Sequence, residues 1–505
     1  MHWADAFTLQ LKGNQLISTG ISPSGHIHVG NMREILTGDM IYRSAVDHGL
    51  EAKLIYLCDD MDPLRKVYPF LDSSYQKYVG MPLSDIPAPD GSGNSYSEYF
   101  LSPFLDVLDK VDVRAEVIRT KNLYEKGSFT EAIDLAMKNS DSIRGILENV
   151  SGRKIESPWA PYNPICSSCG KISSTTVTGY NRPYVEYICK CGHHGSSDIR
   201  KAEGKMPWRI EWPAKWYVLG VTVEPFGKDH GAPGGSYDTG KLIASEIFGI
   251  EPPKYVIYER ILLKGKGAMH SSTGNVIPAF EMTKFAPPEI LRYLIARVQP
   301  ERHIDFEPSL GLLNLIDEYE KISEEINSRK DAAEVTEDQR RAVDLSSIRN
   351  GNTLTEVSFR HLVTLVQIYG NDHDLDLALK RNGVRDGLNA RGMGSMIETV
   401  REWIKAYAPD SVKFSILPDG QKVSITDAQK GILVDFLNGI ESVPWNAESI
   451  HDAVHEVIKK HSIEPKEGFG AFYMVLTGKE RGPRLGYFLS NMDRNWLKSR
   501  IEVNV

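Results

Sequence analysis

Between Gly20 and Asn31 the chain reads Gly-Ile-Ser-Pro-Ser-Gly-His-Ile-His-Val-Gly-Asn. Pro23, Ser24, Gly25, His26, His28, Gly30 and Asn31 together suit a phosphate. Gly25 and Gly30 let a ligand come close to the backbone. His28 and Asn31 can donate hydrogen bonds to phosphate oxygens. Ahead of them, Leu16-Ile17-Ser18-Thr19 is apolar and β-branched, which predicts a buried strand. Behind them, Met32, Ile35, Leu36 and Met40 repeat with the period of an amphipathic helix. Strand, Pro/Gly turn and helix in that order aim the free N–H groups of a helix start at whatever lies above the sheet. Such a start attracts phosphate.

Three further groups of residues could do chemistry. Asp59, Asp60 and Asp62 follow the apolar run Ala52–Cys58, where the carboxyl end of a parallel strand would face a ligand. They suit an amine, a ribose or a metal-bound phosphate, and equally a solvated acidic loop with a helix cap. Gly227-Lys228-Asp229 follows a Val/Thr run, and a carboxylate there can accept both hydroxyl protons of a ribose. Cys166 with Cys169, and Cys189 with Cys191, form two knuckles of the kind that hold a tetrahedral structural zinc. The second pair is one residue short of the usual spacing, so His193 or His194 is an alternative to Cys191. With every ligand supplied by the protein, no position is left open for catalysis.

These groups need elements to hold them. Ala52–Cys58 reads as a second strand and Tyr255–Leu263 as the last. Residues 84–104 are rich in Pro, Gly, Ser and Asp and read as a long loop. Leu105 to Ile118 reads as a helix and a short strand, and Phe129–Asn149 as one helix. Ile172–Val177 and Tyr184–Ile188 read as two strands of a ribbon between the cysteine pairs. Pro287–Val298 is a helix with proline at its start. From Leu310 onward helical periods dominate, with a linker near Asp331–Glu337 and a helix at Ser395–Ile404. The final stretch mixes Lys459, Lys460, Lys466, Lys479, Arg481, Arg484, Arg494, Lys498 and Arg500 with Phe472, Tyr473, Tyr487, Phe488 and Trp496. Basic and aromatic residues in alternation suit phosphates and stacked bases.

At 505 residues the chain is too long for a single core. Its 41% hydrophobic and 25% charged content are those of a globular protein, and its net charge of −8 excludes a wholly basic nucleic-acid binder. No run is long enough for a membrane helix, no secretion signal opens the chain, and five cysteines make no disulfide framework. A cytoplasmic protein with no membrane partner is expected.

The Pro23-Ser24-Gly25-x-x-His28-x-Gly30-Asn31 string resembles the HIGH signature of class I aminoacyl-tRNA synthetases, with Asn31 in place of the last His. Met269, His270, Ser271, Ser272, Gly274 and Asn275 stand where that family carries its KMSKS loop. Here Ala268 replaces the first Lys and Ser271 the second. Lys264 and Lys266, just upstream, are the candidates to steady pyrophosphate in their stead. The resemblance gives Gly227 and Asp229 the ATP ribose. It gives the loop from Gly478 to Leu485 to an anticodon-binding bundle like that of glutamyl- and class I lysyl-tRNA synthetases.

Both signatures, the zinc ribbon and the helical C-terminal half together resemble the class I lysyl-tRNA synthetase family. That implies a Rossmann-like α/β catalytic domain in two halves, 1–150 and 206–307, around an inserted zinc ribbon at 151–205. A helical stem at 308–345 and an α-helical anticodon-binding domain at 346–505 would follow. It implies ATP with Mg2+, L-lysine and tRNA(Lys) as partners, lysyl-adenylate as intermediate, and Zn2+ in the ribbon. In that family small residues on the first strand face aromatic and acidic groups across the lysine. Gly20 and Ser22 match the former, and Trp212, Trp216, Asp229 and His230 are candidates for the latter. Glutamyl relatives carry an Arg where this chain has Ser18. A glutamyl or arginyl enzyme, and a non-catalytic RNA-binding paralogue, are the other readings.

Overall fold

The computed structural model describes residues 1–269, 276–328, 335–348 and 355–505. His270, Ser271, Ser272, Gly274 and Asn275, and most of the expected linker near Asp331–Glu337, lie outside them. The chain forms two compact units, one of Met1–Thr283, Pro288–Phe306 and Glu325–Asn350, the other of Lys284–Pro287, Glu307–Glu324 and Gly351–Val505.

The first unit is built on a five-stranded parallel sheet. Its strands are β1 (Gln15–Ile21), β2 (Ala52–Cys58), β3 (Glu116–Arg119), β4 (Val223–Gly227) and β5 (Lys254–Tyr258). Their order is β5-β4-β1-β2-β3, that of a Rossmann-like half. Ile17 pairs with Leu54 on one side and with Val223 on the other. From β1 the chain moves outward through β2 to β3, then crosses back to β4 on the other side of β1 and on to β5, so the crevice above the carboxyl ends of β1 and β4 is the topological switch point. Helix α1 (Val29–Asp47) follows β1, and helix α2 (Trp208–Leu219) precedes β4.

Several elements differ from the sequence reading. Tyr96–Lys110 is a helix, although 96–104 reads as loop. Ser95 caps it by accepting from the Glu98 amide at 3.2 Å, and Tyr96, Phe100 and Phe104 carry its buried face. Phe129–Asn149 is two helices, Thr130–Lys138 and Ser140–Ser151, because Asn139 leaves the helical conformation at φ −108° and ψ 25°. The ribbon has three antiparallel strands, Thr175–Asn181, Tyr184–Cys189 and His194–Asp198. The first starts later than its sequence suggests, and the polar third strand carries no apolar signal.

A single arginine closes the bottom of the first unit. Arg292 is fully buried and donates to the carbonyls of Val111 and Leu345 and to the Asp39 carboxylate. Arg43 likewise reaches the Ser347 carbonyl at 2.7 Å.

The second unit is helical. Its core gathers Ile432, Leu433 and Phe436 from Asp427–Gly439, Val454 and Ile458 from Ala447–Lys460, Phe472 and Leu476 from Pro465–Thr477, and Phe488 from Leu485–Ser490. Phe472 and Phe488 are wholly buried, so they pack the core and are not stacking platforms. Arg500 is also buried, donating to the carbonyls of Val475, Pro418 and Gln421.

Candidate active site

At the switch point the start of α1 is tied to the chain at residues 277–279. Helix α1 starts at His28, whose amide donates to the Asn31 side-chain oxygen at 3.2 Å. That oxygen is committed to the cap, so only the Asn31 NH2 group remains to donate. The stretch Ile27–Val29 is pinned to the chain just past the second loop. Val29 N–H donates to the Ile277 carbonyl at 2.9 Å, and Ala279 N–H to the Ile27 carbonyl at 2.9 Å. A methyl group placed on Gly30 would sit 2.9 Å from the His28 imidazole and 3.5 Å from the Met269 side chain. Gly30 is therefore the gap through which His28 and Met269 close on the helix start. His28 and Met269 are both buried.

His26 packs against Phe100 and Phe280, with ring centroids 4.9 and 5.3 Å away, and burial lowers its pKa. The Ser24 carbonyl accepts from the Tyr96 hydroxyl at 2.8 Å. Lys264 and Lys266 are exposed on the turn after Ile261–Leu263.

At the carboxyl ends of β1 and β2 the acidic loop is neither solvated nor open. The Ser22 hydroxyl donates to Asp62, and Lys205 Nζ lies 2.5 Å from the other Asp62 oxygen. Lys205 and Lys215 both reach Glu211 Oε2, at 3.1 and 3.2 Å, and Lys215 also pairs with Asp59. Tyr124 and Thr120 donate to Glu211 and Asp59 at 2.6 and 2.9 Å. Burial alone would lower Lys205, but Asp62 and Glu211 outweigh it and hold the ammonium above its usual value. Asp60 accepts the Lys121 amide at 2.9 Å, while burial raises its carboxyl to about 6. These acids thus serve an internal ion network. Its lysines lie far away in sequence, so the sequence alone could not pair them.

Trp212 and Trp216 donate their indole N–H groups to Glu224 on β4. Trp216 is only 1% exposed and stands behind the site, not in its wall. His230 lies over Trp208, with centroids 4.9 Å apart, and is 5.7 Å from Trp212. Burial raises the Glu224 carboxyl to about 7 against the pull of the two indoles. Asp229 is exposed and takes both carboxylate oxygens to Arg260, at 2.6 and 2.7 Å.

Sequence reading missed Glu34. It rises from α1 one turn after the signature, accepts the Gly20 N–H at 3.3 Å, and takes the Tyr258 hydroxyl. Burial raises its carboxyl to about 8, against the hydrogen bond from Tyr258. Among the described residues neither Glu34 nor Glu224 has an ion-pair partner. Met32–Met40 also holds Arg33 and Asp39, so nothing in the sequence singled Glu34 out.

In the ribbon, Cys166, Cys169, Cys189 and Cys191 bring their sulfurs within 4.8 Å of one another. The Cys166–Cys191 and Cys169–Cys189 distances are both 3.7 Å, matching the edge of a tetrahedron with metal–sulfur bonds of about 2.3 Å. His193 Nε2 instead pairs with the Ser167 hydroxyl at 2.8 Å, so Cys191 completes the donor set and the histidines do not. Among the described residues no helix is long and apolar enough to cross a membrane.

The family model described as tRNA synthetases class I (K) matches residues 1–349, and one described as an anticodon binding domain matches residues 398–505. A lysine–tRNA ligase of Thermoplasma acidophilum is 56% identical over 99% of this chain and 98% of its own. One from Picrophilus torridus is 53% identical over 99% of this chain and 98% of its own. The solved glutamate tRNA ligase of Elizabethkingia meningosepticum is 14% identical, with a TM-score of 0.42 over 97% of this chain and 98% of that one. With a family model covering its first 349 residues and relatives more than half identical along nearly its whole length, this chain belongs to the class I (K) tRNA synthetases.

Proposed function

We propose that the chain is a lysine–tRNA ligase that activates L-lysine with ATP and transfers it to tRNA(Lys). The observation that carries the lysine reading is Glu34: a carboxyl at the carboxyl end of β1, beside Gly20, with no ion-pair partner among the described residues. An ammonium of the substrate supplies that charge. A substrate carboxylate in the same place would meet like charge and no partner, at large cost. Ser22 and the Trp208–His230 pair border the same pocket in this reading, with Trp212 and Trp216 fixing α2 behind it through Glu224.

The lysine carboxylate oxygen attacks the α-phosphate of ATP in line. The bond to the bridging oxygen breaks, pyrophosphate leaves, and lysyl-adenylate forms. A terminal ribose hydroxyl of the tRNA then attacks the mixed anhydride, and AMP leaves. Positioning and charge stabilisation carry such a reaction, with no covalent intermediate on the protein. His28, the Asn31 NH2 and the N–H groups of the α1 start face the developing phosphate charge. Lys264 and Lys266 serve the departing pyrophosphate, and Asp229 turns from Arg260 to the ribose. Asp59 and Asp62 are already paired with lysines, so Mg2+ enters as part of MgATP. Zn2+ in the four-cysteine cluster holds the ribbon and takes no part in the reaction. A cytoplasmic location, where charged tRNA is used, fits this reaction.

The test is ATP–pyrophosphate exchange, with tRNA present, against each amino acid in turn. Lysine should support exchange and glutamate and arginine should not. Exchange with either of those, or none with lysine, refutes the assignment.

A further inference from the structure

The ion network at the carboxyl ends of β1 and β2 leaves one polar atom half-exposed. The Ser22 hydroxyl lies 2.5 Å from Asp62 Oδ2, while Lys205 Nζ holds Oδ1. Asp62 is buried and Ser22 half-buried. Burial alone would raise the Asp62 carboxyl, but Lys205 and Ser22 outweigh it and keep it below its usual value. An ionised carboxylate only accepts, so the Ser22 proton must point at Asp62. The lone pairs of the Ser22 oxygen then face away from that acid. Among the described residues no group donates to them.

Asp62 is held from several directions. Its carbonyl accepts the Leu83 N–H at 2.9 Å, and Pro63 bridges to Pro82 beside it. The Leu64 N–H donates to the Met81 carbonyl at 2.9 Å, and the Gly80 N–H returns to the Leu64 carbonyl at 2.8 Å. Lys205 is fixed in turn by Glu211 Oε2 at 3.1 Å and by its backbone pairing with Asn163. Its ammonium neutralises Asp62, so Asp62 is not itself a counter-ion for a ligand. What the pair presents is the Ser22 oxygen, aimed and left only to accept.

We infer, on the lysine reading above, that Asp62 and Lys205 are positioning residues for the substrate's α-ammonium, acting through the Ser22 oxygen as a fixed acceptor. Glu34, beside Gly20, takes the side-chain ammonium in that reading. Ser22 lies two residues further along the chain, about 7 Å away at the rise of a strand. An extended lysine holds its two ammonium groups on the order of 7 Å apart. One group at Glu34 therefore puts the other at Ser22. The carboxylate, one bond from the α-carbon, then falls toward the turn at Pro23–Gly25, where the reaction needs it. A hydroxyl free to rotate could turn its proton at the ammonium, and a committed one cannot.

The experiment uses the full chain with tRNA present. It measures the KM for lysine in ATP–pyrophosphate exchange and the inhibition constant of 6-aminohexanoate against lysine. That analogue keeps the side-chain ammonium and the carboxylate but has no α-ammonium. Asp62→Asn should raise the KM for lysine about tenfold to a hundredfold, the cost of a hydrogen bond to a charged group. It should change kcat far less and leave inhibition by the analogue as it was. Ser22→Ala should do the same. The two changes together should be no worse than Ser22→Ala alone, since both act on one contact. Where Asp62→Asn does not fold, Asp62→Glu, which keeps the charge and moves the oxygen, takes its place with the same split expected. If the Asp62 variant weakens lysine and the analogue by one factor, or is as harmful with Ser22→Ala as without it, Asp62 acts on the fold and the assignment falls. An unchanged KM for lysine overturns it too. If the unaltered chain shows no exchange with lysine, the functional reading itself fails, and this assignment with it.

Discussion

Lys205 Nζ lies 2.5 Å from Asp62, joining the segment just ahead of α2 to the loop that leaves β2. Both partners are buried, and the same Asp62 holds the Ser22 hydroxyl at the end of β1. The cysteine ribbon rejoins the parallel-sheet part of the unit beside this pair, because the Lys205 backbone also pairs antiparallel with Asn163 at the ribbon's entry.

Removing one charge from such a pair strands the other. Lys205→Met should destabilise the first unit by about 3–5 kcal/mol, read from the denaturant midpoint. Adding Asp62→Asn should restore part of that loss, because the orphaned carboxylate is then neutral. A double variant no more stable than the single one would show that the network does not act through charge.

Gly30→Ala tests the helix start. The added methyl must push against the His28 imidazole, since the ideal position is 2.9 Å away. Lysine-dependent pyrophosphate exchange should fall about a hundredfold, the usual effect of displacing a positioned group. The unfolding midpoint should change little. His28→Ala should lose tenfold to a thousandfold, as for other transition-state donors. Full exchange in either folded variant would remove this corner from the site.

The pH dependence of lysine binding follows from Glu34. Burial raises its carboxyl to about 8, so below that pH it is mostly protonated and cannot pair with an ammonium. The lysine side chain, near 10.4, stays charged across the same range. The KM for lysine should therefore fall as pH rises from about 6 to 8. Glu34→Gln should raise KM by about tenfold to a hundredfold and flatten that slope. A slope that survives in Glu34→Gln belongs to another group.

Thiol titration should release one zinc per chain, with Cys169→Ser reducing it, because the four sulfurs already lie within 4.8 Å of one another. Metal loss should loosen the ribbon and leave the parallel sheet folded, as circular dichroism and limited proteolysis would report. Purified protein with no zinc sinks this expectation.

A chain cut after Glu307 should be poorly folded. Such a cut removes the Leu345 and Ser347 carbonyls that Arg292 and Arg43 use. Losing buried partners of this kind costs about 3 kcal/mol or more. A cut after Ile348 keeps them, and its thermal midpoint should be clearly higher. Equal midpoints would show that the segment is an appendage.

The strand, turn and helix around Gly20–Asn31 were legible because each is specified locally, by β-branched runs, proline and glycine, and helical period. The cysteine cluster was legible because spacing alone restricts how four sulfurs can meet. Asp59 and Asp62 read as either open to a ligand or solvated, and neither holds, because Lys205 and Lys215, which pair with them, are more than a hundred residues away. The Tyr96–Lys110 helix was missed at its start because Ser and Gly before it suggest coil, while its stability comes from burying Tyr96, Phe100 and Phe104. Within the basic tail, the residues used for packing were not legible for a related reason: Arg500 and Lys479 cap backbone carbonyls that no pattern in the sequence announces.

The arginine that closes the first unit also sets when that unit can be finished. A ribosome delivers a chain from its N-terminus at about 5–20 residues per second. The five strands are complete at Tyr258, yet Arg292 has no Leu345 carbonyl until the segment Glu307–Glu324, which belongs to the other unit, has been made. The nascent Rossmann-like unit therefore waits on the order of ten seconds with guanidinium donors unmet at its base. During that interval the emerging polypeptide is most exposed to misassembly, and slower translation of the intervening stretch would lengthen the exposure.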